Sequence, residues 1–139
     1  MSKKQVFIAK GSSPWYLNTP DWEDIVKITN IDKSISGQVT VTCNGSVTDM
    51  ASMFSGCRDL TSIDLSSFDT SNAVGMALMF CDCEKLTTIK GVIDMESCED
   101  CFNMFKNCSN LSGVKIKNPP TDFESKTGLS SSQYVVVNE

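Results

Sequence analysis

One frame recurs three times within this 139-residue chain, and that internal repeat limits its possible folds more than any other feature. The first copy reads Met50-Ala-Ser-Met53-Phe54-Ser-Gly-Cys57-Arg-Asp-Leu60-Thr-Ser-Ile63-Asp-Leu65. The second runs Met76-Ala-Leu-Met79-Phe80-Cys-Asp-Cys83-Glu-Lys-Leu86-Thr-Thr-Ile89-Lys-Gly91, and the third Cys101-Phe-Asn-Met104-Phe105-Lys-Asn-Cys108-Ser-Asn-Leu111-Ser-Gly-Val114-Lys-Ile116. Cys101 replaces methionine at the third start, and Gly91 replaces the last aliphatic of the second copy. Self-similarity at a fixed period is the signature of chains built from stacked units, each unable to bury its apolar face alone.

Within each copy the apolar spacing changes from helical to extended. Met50, Met53 and Phe54 stand at i, i+3 and i+4, which predicts one face of a short helical turn. Thr48 is placed to cap it, Asp49 suits its first turn, and Gly56 can close it in a left-handed conformation. Leu60, Ile63 and Leu65 then follow the spacing of a leucine-rich strand, alternate side chains pointing inward. The expected fold class is an α/β repeat. It is a short right-handed leucine-rich-repeat solenoid with parallel strands on one face, short helical turns on the other, and atypical capping ends.

Weaker copies flank the clear ones. Val39 and Val41 fall where Ile63 and Leu65 would be, and Tyr134 to Val137 is a natural closing strand after Pro119-Pro120. The expected division is residues 1–35 as an N-terminal cap or docking segment, 36–117 as repeat coils, and 118–139 as a C-terminal cap. Gln5 to Lys10 reads as a strand, and Thr19-Pro20-Asp21-Trp22-Glu23 as a helix start, with threonine at the cap and proline at the first helical position.

The run from Val47 to Asn72 resembles the BspA-like leucine-rich repeats of bacterial surface proteins, a subclass also found in bacteriophage and protist proteins. The likeness covers roughly residues 36 to 117. It implies an adhesion or protein-interaction module, in a family whose members are often secreted and much longer.

Charge and composition remove several function classes. A net charge of −5 and a pI near 4.7 argue against nucleic-acid or anionic-membrane binding, which needs clustered Lys and Arg. No apolar run approaches the roughly 20 residues that span a bilayer, and the four-residue stretch Val6-Phe-Ile-Ala9 is too short for a signal-peptide core. The chain is therefore expected to be made in the cytoplasm without a signal peptide, with a virion as one destination and a cell surface as another. Histidine is absent, which removes the commonest general base and the usual serine or cysteine triad. With no glycine-rich phosphate loop either, no catalysis and no cofactor are expected; Asp64 and Asp69 read as solvated surface acids.

Seven cysteines is a high count, and their odd number favours free buried thiols. Cys57, Cys83 and Cys108 share one repeat position and read as stacked small hydrophobes. Cys81, Cys83, Cys98 and Cys101 together hold the four thiolates of a structural zinc site. The repeat supports a different reading, since Cys98 aligns with Val47 and Ala73, and Cys101 with Met50 and Met76. A Cys98–Cys101 disulfide remains open on oxidation. Five of the seven methionines, Met50, Met53, Met76, Met79 and Met104, lie in the frame and read as core.

The outward strand positions form the candidate binding face: Gln38 and Thr40, then Thr61, Ser62 and Asp64, then Thr87, Thr88 and Lys90, then Ser112, Gly113 and Lys115. The alternative is an ordinary solvated surface. Trp15, Tyr16 and Trp22 are read as an apolar lid on the first coil or as a docking patch. Together these point to a non-enzymatic interaction module, either a bacteriophage or prophage particle protein contacting a larger assembly or host surface, or a BspA-like adhesin. A cysteine-based zinc or redox regulator is the alternative from another class.

Overall fold

The computed structural model describes residues 6–10, 13–16 and 36–43 by their backbone, and residues 49–138. Eight strands and one helix lie among them, namely β1 (Val6–Lys10), β2 (Ser13–Tyr16), β3 (Ser36–Cys43), β4 (Asp59–Ser67), β5 (Thr88–Lys90), β6 (Val92–Asp94), β7 (Val114–Lys117), α1 (Phe123–Thr127) and β8 (Tyr134–Val136). The expected strands near residues 5–10 and 134–137 are present as β1 and β8. The expected caps at Thr19 and Thr48 lie outside the described residues.

These strands form two separate sheets. One has the order β2-β1-β3-β4-β5, antiparallel at β2-β1-β3 and parallel from β3 to β5. The other is parallel, β6-β7-β8. The expectation of an α/β leucine-rich-repeat solenoid, with one parallel strand face backed by helical turns, is thereby corrected. The strands do not make one continuous parallel sheet, and the one helix among the described residues, α1, lies outside all three copies of the frame.

The turn segments 50–57, 76–83 and 101–108 show why no helix forms there. Ser52, Leu78 and Asn103 have positive φ of 62°, 61° and 52°, which a right-handed helix excludes. The backbone donors alternate. Met53, Ser55 and Cys57 donate three residues back, to Met50, Ser52 and Phe54, whereas Met50, Ser52, Phe54 and Gly56 donate to Gly75, Ala77, Met79 and Cys81. Met76, Leu78, Phe80 and Asp82 likewise donate to Asp100, Phe102, Met104 and Lys106. Past its first turn a helix directs its donors to its own carbonyls; here every second donor joins one segment to the next. The i, i+3, i+4 apolar spacing fits both arrangements. Gly56 does adopt the left-handed conformation, at φ 78°.

The split between sheets has a local cause at Gly91. Its φ is +102°, and a Cβ there would meet the Ser66 nitrogen at 2.9 Å and the Leu65 carbonyl carbon at 3.0 Å. The chain turns at this glycine, ending β5 and starting β6. Ile93, two residues on, pairs with Ile116 and is fully buried, so it takes the inward aliphatic place that Gly91 leaves.

The core runs along the turn segments. Met50, Met53, Met76, Met79 and Met104 are all buried, as expected from the frame. Phe54 stacks on Phe80 with centroids 5.7 Å apart and 5° between planes, and Phe80 on Phe105 at 5.3 Å and 9°. Full burial of each such side chain contributes roughly 1.5–3 kcal/mol. Helix α1 ends this row. Phe123 packs on Phe105 at 6.4 Å with planes tilted 60°, and Asn103 and Phe105 donate to the Lys126 and Thr127 carbonyls. Both flanking residues of α1, Asp122 and Gly128, are left-handed, which keeps the helix to five residues.

Candidate functional site

The expected binding face is brought together in part. In the parallel run β3-β4-β5, Gln38 pairs with Ser62 and Ser62 with Thr88, while Thr40 pairs with Asp64 and Asp64 with Lys90. Two rows of three residues thus cross adjacent strands, about 4.8 Å apart. Between them runs Val39-Ile63-Ile89, whose Ile63 and Ile89 are buried, so strand alternation explains the two-row pattern.

A third line lies just before the strands. Thr87 donates its amide to the Thr61 carbonyl at 2.9 Å and its hydroxyl to the same oxygen at 3.1 Å, and the Ser112 amide donates to the Thr87 carbonyl at 3.3 Å. Thr61, Thr87 and Ser112 are therefore in line, although Ser112 lies outside any strand. Thr61, Ser62 and Asp64 are half-buried; Thr87, Thr88, Lys90 and Ser112 are exposed. At the rim, the exposed Lys85 and Asp59 pair at 3.1 Å.

Electrostatics vary along the second row. Asp64 accepts from the Ser66 hydroxyl and amide, and these bonds, helped by the nearby Lys90 charge, hold its carboxyl below its ordinary value. Asp69 is held down in the same way by the Ser71 hydroxyl and amide. Both are carboxylates locked in tight local turns.

Lys115 does not join this face. It lies in β7 of the other sheet, between Val92 and Val135. There a cleft of about 330 Å³ is lined by Val92, Lys115, Val137 and Asn138. Beyond Gly91 the partner of Lys115 is Val92 and not Lys90, a register that counting by the repeat did not show. The glycine in an aliphatic column was the signal for it. Trp15 and Tyr16 lie in β2, paired with Ile8 and Phe7, and Trp22 is outside the described residues.

The cysteines separate into two kinds. Cys83 donates its thiol to the Phe54 carbonyl at 3.1 Å and Cys108 to the Phe80 carbonyl at 2.9 Å. Burial pushes both thiols up, Cys108 to about 12. With Cys57 they fill the core, as the frame indicated. Cys81 is also buried, and its thiol too is raised by burial. Among the described residues no three Cys, Asp or Glu side chains gather as a metal site, so Cys81, Cys83, Cys98 and Cys101 do not form the four-thiolate centre considered above. Cys57, Cys81, Cys83, Cys98, Cys101 and Cys108 are free thiols.

No helix among the described residues is long and apolar enough to cross a membrane. A family model described as "Mycoplasma protein of unknown function, DUF285" matches residues 17–118. No curated protein and no solved structure matches the chain.

Proposed function

The chain belongs to the family of Mycoplasma proteins of unknown function, DUF285, and we propose that it is a non-enzymatic protein-binding module whose recognition face is the polar side of β3-β4-β5. The observation that carries this reading is the pair of in-register rows, Gln38-Ser62-Thr88 and Thr40-Asp64-Lys90. Short hydroxyls with one acid and one base on a strand framework offer a partner fixed, directional hydrogen-bond groups at little entropic cost. The likeness of the frame to BspA-like repeats supports the same class of role. The setting is proposed as a bacteriophage or prophage particle, with display on a cell surface as the second reading.

The test is capture of a partner by the native protein with the face intact or blocked. Ser62→Arg with Thr88→Arg should abolish capture while thermal unfolding is unchanged. A control pair on another surface, Glu96→Arg with Ser109→Arg, should capture normally. Equal capture by both variants overturns the assignment of this face. The source of the captured protein, virion component or cell-surface component, distinguishes the two settings.

A further inference from the structure

Cys98 and Cys101 stand together on one turn beside a cleft that both of them line. They are three residues apart, and Cys98 donates its thiol to the Asp100 carbonyl at 3.5 Å. Cys101 is buried at 4% exposure, whereas Cys98 is only partly buried. The cleft beside them, about 250 Å³, is lined by both cysteines with Asp100, Phe102, Pro120 and Lys126. The backbone holds this segment from two sides. The Glu99 and Asp100 amides both donate to the Val74 carbonyl, and the Asp100 carbonyl accepts the Met76 amide.

The sequence frame adds an independent sign. At the equivalent places the other copies carry Ala73 with Met76, and Val47 with Met50; only the third copy places two thiols there. A core needing only apolar filling is served by alanine and methionine, and methionine cannot form a disulfide.

We infer that Cys98 and Cys101 are an oxidisable dithiol that closes to an intrachain disulfide by exchange with a low-molecular-weight disulfide entering this cleft. The Cys98 thiolate attacks one sulfur of the small disulfide, breaking its S–S bond and releasing one small thiolate. The Cys101 thiolate then attacks Cys98 Sγ in the mixed disulfide and expels the second. The protein gives up two electrons and two protons, the small disulfide is reduced to two thiols, and one S–S bond replaces another. The partly exposed Cys98 is the entry sulfur and the buried Cys101 the resolving one. Burial raises the Cys101 thiol, and the charge of Lys126, on the cleft wall, offsets part of that rise. Closure removes the Cys98 donor from the Asp100 carbonyl, so it is felt where segment 98–101 meets the turn at Met76.

The experiment treats the whole folded chain with oxidised glutathione, alkylates the remaining thiols and digests with trypsin. Cleavage after Lys90 and Lys106 releases a peptide holding Cys98 and Cys101 and no other cysteine. Its recovery unalkylated and lighter by two hydrogens, with Cys57, Cys83 and Cys108 alkylated on denaturation, is the expected result. Recovery of that peptide alkylated at both cysteines, or with a stable glutathione on Cys98, overturns the proposal. In Cys101→Ser the glutathione adduct on Cys98 should persist. If the variant does not fold, the wild-type peptide mass alone decides.

Discussion

Phe80 lies between Phe54 and Phe105 with its ring parallel to both, 5.7 Å from the first and 5.3 Å from the second. All three are buried, and Phe80 is the middle member, so its loss opens a cavity that neither neighbour can fill without leaving its own stack. Phe80→Ala should lower unfolding stability by about 3–5 kcal/mol. Phe102→Ala, at a side chain 62% exposed in the adjoining turn, should stay within about 0.5 kcal/mol. Urea titration of both variants measures the contrast, and equal midpoints would be incompatible with this core.

The separation of the two sheets rests on Gly91. Any side chain there is strained at φ +102° and also meets the backbone of Leu65 and Ser66. Gly91→Ala should destabilise by more than about 1 kcal/mol and increase amide exchange in β5 and β6. Gly113, at φ +68° with open space around its Cβ position, isolates the conformational cost alone. Gly113→Ala should therefore cost about 1 kcal/mol and leave the exchange of β5 and β6 unchanged.

The buried thiols predict alkaline sensitivity. Burial raises Cys108 from 9.0 to about 12, so the unfolded chain releases this proton at lower pH than the folded one. The stabilisation is fully present below pH 9 and is lost as pH rises towards 12. Cys83 adds in the same direction. A melting-temperature series should be flat up to about pH 8 and fall above 9, and Cys83→Ala with Cys108→Ala should flatten that fall while lowering the plateau.

At the acid end the sign reverses. Asp64 and Asp69 are held below their ordinary 3.8 by Ser66 and Ser71, so the unfolded chain takes up these protons first as pH falls. Their contribution is present above pH 4 and is lost below it. Because both carboxylates face solvent, the effect is modest. Ser66→Ala should shift the Asp64 carboxyl resonance midpoint upward in an NMR titration and leave that of Asp69 in place.

The dithiol closure has its own pH signature. Burial, with the neighbouring Cys101, raises Cys98 to about 11, so little thiolate is present near neutrality. The rate of Cys98–Cys101 closure with oxidised glutathione should rise about tenfold per pH unit between 7 and 10. A flat profile over that range would contradict attack by Cys98.

The repeated Met, Phe and Cys positions were legible as core because an apolar side chain recurring at one place in every copy has no other common environment to share. Strand positions 60–65 and the alternation that sets Ile63 against Ser62 and Asp64 were legible for the same reason, since a period of two separates the faces of a strand. The form of the turns was not. Apolar residues at i, i+3 and i+4 suit a helical turn as well as the alternating turn seen here, and only the neighbouring segment's carbonyls at Ala77 and Met79 decided where the Ser52 and Phe54 amides would go. The division into two sheets was likewise a tertiary outcome. Gly91 shows in the sequence as a missing aliphatic, but its close approach to Leu65 and Ser66 exists only once the segments lie together, and beyond it Lys115 pairs with Val92 in the second sheet rather than with Lys90.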